Sequence, residues 1–152
     1  MTRPYAQQRD ARQQNASALL RDLWHNPRLS KASLAQRNRL TKATVSVICA
    51  DLAGLSLIRE VGQDKSGMGR PGNLLELNPN ARSAIGVEIS TNYVAALLLD
   101  FAGKPVWRHA VPVAAKSSQA AILSLGEALI IDAMAAARER ELPLLGAGIS
   151  LP

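Results

Sequence analysis

Residues 29–55 read Leu29-Ser30-Lys31-Ala32-Ser33-Leu34-Ala35-Gln36-Arg37-Asn38-Arg39-Leu40-Thr41-Lys42-Ala43-Thr44-Val45-Ser46-Val47-Ile48-Cys49-Ala50-Asp51-Leu52-Ala53-Gly54-Leu55. Two short amphipathic helices fit this stretch. Ser30 can cap the first, from about Lys31 to Asn38, with Leu34 and Ala35 facing inward. After a break at Arg39-Leu40, Thr41 can cap the second. There Val45, Ile48, Cys49 and Leu52 recur at i, i+3, i+4 and i+7 and make one apolar stripe. Gly54 fits the residue just past the helix end.

Upstream, Ala16, Leu19, Leu20, Leu23 and Trp24 carry the same periodicity and predict an earlier helix with one buried stripe, ended by Asn26-Pro27. Residues 1–14 are polar and rich in Gln and Arg, and read as an arm or a frayed helix start. Downstream, 56–61 and 73–77 are strand-like. They enclose a Gly-rich tip, Ser66-Gly67-Met68-Gly69-Arg70-Pro71-Gly72. Three helices followed by a hairpin, over residues 15–80, are the order of a winged helix-turn-helix.

Charge agrees with that reading. The chain of 152 residues carries a formal +6. Residues 1–82 hold 13 Lys/Arg against 6 Asp/Glu, and residues 83–152 hold 5 against 6. A basic half beside a near-neutral one points to a polyanionic partner for the first half. With Val45, Ile48 and Leu52 inward, the third helix turns Ala43, Val47 and Ala50 outward, flanked by Thr44, Ser46 and Asp51. Such a small, partly hydroxylic face enters a major groove closely, and a methyl can rest on thymine. Lys42 lies at the helix start, where the dipole already favours an anion. Lys31, Arg37 and Arg39 are placed for backbone phosphates, which carry affinity without sequence preference; Thr44 and Ser46 can donate to phosphates or base edges, and Thr41 completes the expected DNA-facing set. At the hairpin tip, Arg70 before Pro71 suits a narrow A·T-rich minor groove, with Lys65 near a phosphate.

The second half changes character. Apolar runs at 84–89 and 93–99, a turn at 100–104, a strand at 105–113, a long helix from Ser117 or Ser118 to about 141 and a last strand at 144–151 predict the opening of an α/β domain. Glu88 and Asp100 fall at different strand ends and read as turn-closing residues. Trp24 and Trp107 read as buried or partly buried anchors. His25 and His109 have no companion ligand at metal spacing, so no metal or cofactor is expected. Cys49 is alone and reads as a small core residue. No secretory leader and no stretch of ~18 apolar residues is apparent, so a cytoplasmic protein without a membrane partner is expected.

Four pieces in order resemble the start of a ROK-family (repressor, open reading frame, kinase) transcriptional repressor: 29–55, Gly69-Arg70-Pro71, Leu75-Glu76-Leu77-Asn78-Pro79 and Ile85-Gly86-Val87-Glu88-Ile89. The resemblance implies a winged helix-turn-helix followed by an actin-like ATPase (ribonuclease H-like) domain, here only its first part, at 83–152. It implies a homodimer on inverted-repeat, A·T-rich double-stranded DNA near sugar-utilisation genes, with a sugar or phosphosugar effector only in a full-length relative. The family's kinases carry an Asp followed by a Gly-Gly-Thr turn at the first strand. Here Glu88-Ile89-Ser90-Thr91-Asn92-Tyr93 replaces both glycines, and no enzyme is expected. A sugar-kinase remnant and a dimerisation module are the alternatives.

Overall fold

The computed structural model describes residues 3–64 and 72–151. Among them are four helices and two sheets, which fall into two compact units, residues 1–78 and 79–152.

In the first unit, α1 (Arg3–His25) is followed by the two-residue β1 (Leu29–Ser30), α2 (Lys31–Asn38), α3 (Lys42–Gly54), β2 (Ile58–Asp64) and β3 (Gly72–Leu77). The short-range signals explain the boundaries. Ser30 Oγ accepts from the Ser33 amide at 3.2 Å, and Thr41 Oγ1 from the Thr44 amide at 3.1 Å, so each hydroxyl satisfies an otherwise orphaned helix donor. Arg39 ends α2 in the left-handed region (φ 54). Leu19, Leu23, Leu34, Val45, Ile48, Leu52, Ile58 and Leu75 are all buried and form the core beneath the three packed helices and β3. Complete burial of a Leu or Val side chain contributes roughly 1.5–3 kcal/mol, so this stripe fixes which face of α3 remains outside.

The first sheet has the order β1-β3-β2, all antiparallel. Its ladder slips between Glu60 and Gln63, and Gly62 sits there at φ 135, a value that side-chain-bearing residues rarely adopt.

Several expectations are corrected. Residues 3–14 are not an arm but continue α1, which Arg12 ties to α3 through Asp51. The strand β1 is absent from the sequence reading; two residues leave no periodicity to detect. α3 runs through Gly54, and the left-handed residue beyond it is Ser56 (φ 58) rather than the glycine. Trp24 is 49% exposed, at the edge of the α1 stripe rather than inside it.

The second unit has β4 (Ser83–Ile89), β5 (Tyr93–Asp100), β6 (Pro105–Pro112), α4 (Gln119–Glu139) and β7 (Leu144–Ser150). The sheet order is β6-β5-β4-β7. The first three strands pair antiparallel, and β7 joins β4 in parallel after the α4 crossover. Ser118 caps α4. Leu129, Ala133, Ala136 and Ala137 of that helix pack with Ile85, Val87, Val94, Ala96 and Leu98 of the sheet. Buried Ser83 hydrogen-bonds through Oγ to the carbonyls of Leu142 and Pro143 (3.3 and 3.2 Å) and so seats the start of β7. Against the expectation, α4 is long and apolar enough to cross a membrane by length and composition alone. Its small and aliphatic face lies on β4 and β5, the packing of a core helix. Leu123, Ile131 and Met134 on the same helix stay exposed.

Candidate nucleic-acid interface

The exposed side of α3 follows from its buried one. Val45, Ile48, Cys49 and Leu52 turn inward, which leaves Lys42, Ala43, Ser46, Val47 and Ala50 outside. Val47 is 53% exposed. Thr41 and Thr44 stand at the helix start with their hydroxyls 2.8 Å apart. The Thr41 hydroxyl oxygen also takes the Thr44 amide, so one of the two threonines is spent on capping.

The neighbouring cations are less uniform than the sequence reading has them. Lys31 opens α2 and is half-buried, and Arg39 is exposed just past that helix. Arg37 lies 3.4 Å from Asp22 of α1, and Asn38 donates to the same carboxylate at 2.7 Å. Arg37 is therefore engaged within the protein. Arg59 and Arg28 converge on Glu76, at 2.7 and 3.8 Å. Lys65, Arg70 and Pro71 lie outside the described residues; the strands that lead to them are β2 and β3.

Sequence reasoning missed the part played by α1. Arg12 and Asn15 of α1 and Ala43, Thr44, Val47 and Ile48 of α3 line an open groove of about 560 Å³. Beside it the Arg12 guanidinium is bonded to Asp51 of α3, with Nε 3.1 Å from Oδ2 and Nη2 on the same oxygen. The partners are 39 residues apart, and no local pattern announces the pair.

Cys49 is buried on the inner side of α3; burial pushes its thiol pKa up, and the weaker pull of Lys31 acts the other way. It is a core thiol, not a nucleophile.

In the second unit, Glu88 accepts the Tyr93 hydroxyl proton at 2.6 Å across the β4–β5 hairpin. Asp100 Oδ1 takes the amides of Ala102 and Lys104 (2.9 and 2.8 Å) and closes the β5–β6 turn. Trp107 is half-buried against the core, edge-on to His109, with ring centroids 6.2 Å apart. His109 Nδ1 lies 3.9 Å from Asp132. Among the described residues, no three His, Cys, Asp or Glu side chains gather where a metal could bind.

Three helices and an antiparallel hairpin thus make up the first unit, and a mixed four-stranded sheet with one crossover helix the second. A solved ROK-family transcriptional regulator, a homologue of the E. coli MLC protein, shares this fold with a TM-score of 0.66 at 18% identity, over 93% of this chain and 36% of that one. No model of a known protein family matches the chain. Among curated proteins, the xylose repressor of Caldicellulosiruptor bescii is 27% identical over 141 residues, 93% of this chain and 35% of its own length. The xylose repressor of Bacillus subtilis is 32% identical over 98 residues, 62% of this chain and 26% of its own. The chain is thus similar in sequence to xylose repressors and in fold to a ROK-family transcriptional regulator, and it spans about a third of the length of the curated relatives that it matches over most of its residues.

Proposed function

We propose that the chain is the DNA-reading front of a cytoplasmic transcriptional repressor of sugar-utilisation genes. Residues 1–78 act as a winged helix-turn-helix, and residues 79–152 are the opening of an actin-like lobe. The observation that carries this reading is the outer side of α3. Ala43, Ser46 and Val47 are exposed and small, on a helix firmly anchored by four buried residues. A helix of that profile can enter a major groove without steric conflict, with the Ala and Val methyls against thymine. Lys31, Arg39 and Lys42 take phosphates. Arg70, with Pro71 and Lys65, reaches an A·T-rich minor groove from the tip between β2 and β3. Two copies bind an inverted repeat, and an effector sugar or phosphosugar acts on a longer relative. The kinase alternative is disfavoured by the turn after Glu88, where Ile89-Ser90-Thr91-Asn92 has no glycine to let the backbone approach a phosphate closely.

A gel shift at two salt concentrations, with inverted repeats flanked by A·T-rich or G·C-rich sequence, tests the proposal. Three phosphate contacts per protomer give a slope of log K against log salt of about −2.7 per protomer. Arg70→Ala weakens the A·T-flanked site more than the other. No retention refutes DNA binding, and salt-insensitive retention refutes binding through these phosphate contacts; equal loss at both sites makes Arg70 a phosphate contact only.

A further inference from the structure

We infer that Arg12 is a charge-screening residue for the DNA-facing side of α3, and that the stretch of α1 around Arg12 and Asn15 is thereby part of the binding surface. This rests on the reading of α3 as the groove-entering helix. Asp51 is the one acidic residue in α3, against the single base Lys42. It lies on the turn after Val47, bonded to the Arg12 that lines the groove with Thr44 and Val47, and its side chain is half exposed. A bare carboxylate there faces the phosphate backbone as α3 approaches, and like charges across an interface oppose association. Arg12 removes that obstacle. Its Nε and Nη2 both go to Asp51 Oδ2, so the pair approaches the groove as a neutral unit, while the guanidinium keeps further donors in solvent.

Two independent features meet in this assignment. One is an ion pair that joins α1 to α3 across 39 residues. The other is the unfilled groove of about 560 Å³ between the same two helices, with Arg12 and Asn15 on one wall and Thr44 and Val47 on the other. A pair that served only to hold the helices together needs no open groove beside it. An exposed ion pair also stabilises a fold very little, since solvent screens it. The core residues Leu19, Leu23 and Val45 already hold α1 and α3 in place. What the pair changes most is the sign of the charge presented by the outer side of α3.

The test is a double-mutant cycle on the full chain, read by fluorescence anisotropy with a labelled duplex that the wild type recovers from a random-sequence pool. Arg12→Ala is expected to weaken binding about three- to tenfold near 0.1 M salt, with the difference shrinking as salt rises and the Debye length falls below ~5 Å. Arg12→Lys and Asp51→Ala stay within about twofold of the wild type, and the Arg12→Ala/Asp51→Ala double variant recovers wild-type affinity. Circular dichroism of each variant confirms unchanged helicity, so that a folding defect is not read as lost binding. Equal binding by Arg12→Ala and the wild type overturns the inference. So does an equal loss from Arg12→Ala with and without the Asp51→Ala substitution, which makes Arg12 a direct phosphate contact. Failure of the wild type to recover any duplex is a distinct result: it refutes DNA binding itself, and the screening role falls with it.

Discussion

Tyr93 reports on its neighbour Glu88 through its own proton. Its pKa is raised above the ordinary phenol value of about 10, first by the hydrogen bond to Glu88, then by burial and the Glu88 charge, with Arg108 opposing. The folded chain holds this proton to higher pH than the unfolded chain. The contribution to stability is therefore complete below about pH 10 and is lost as pH rises through the folded value. A phenolate absorbance titration of the Tyr5→Phe variant isolates Tyr93 and is expected to show a midpoint above that of free tyrosine. Adding Glu88→Gln lowers the midpoint, since the charge goes while an acceptor remains; an unmoved midpoint contradicts the assignment. Single residues also mark how far sequence reasoning reaches. Thr41 and Ser30 are legible as caps because a cap acts within three residues. Arg12 is not, because its partner Asp51 is brought beside it only by the packing of α1 on α3.

At the scale of elements, the helices α2, α3 and α4 and the six longer strands all follow from periodicity and punctuation that are written locally. The misses have physical causes. β1 is two residues long and exists because β3 offers Leu74 and Leu75 as partners. Local pattern puts the end of α3 at Gly54, yet the chain turns left-handed at Ser56, where the Leu57 amide closes on the Leu52 carbonyl at 2.9 Å. It puts the start of α1 too late, because residues 3–14 are mostly polar in sequence and show no apolar stripe. The outward face of α3 is readable from the inward one; the α1 wall beside it is not. Helix caps allow a direct check. Ser118 Oγ takes the Ala121 amide at 3.2 Å, and Ser118→Ala is expected to cost the chain about 1 kcal/mol in denaturant unfolding. A change near zero means that solvent replaces this cap without loss.

For the whole molecule, the two units differ in how they are closed. In residues 1–78 the buried stripe of each helix finds a partner inside the same unit. In residues 79–152 only one side of the sheet is covered by α4. The other side, around Gly86, Ala95, Leu97 and Gly148, lines an open depression of about 450 Å³. All seven residues of β7 are exposed, Leu145 and Ile149 among them at 66% and 59%. Strands bonded on one flank and uncovered on both faces open most readily. Native-state hydrogen exchange is therefore expected to release the β7 amides well before those of β5; comparable protection of both strands argues against this ranking. The parallel seat of β7 also carries a consequence in time. Ser83 must meet Pro143, 60 residues later in the chain. At roughly 5–20 residues per second of synthesis, β4 leaves the ribosome with one flank unpaired for about 3–12 s, while β5 and β6 complete their hairpins at once. That waiting flank is the stretch of the nascent chain most open to a wrong partner or to a chaperone.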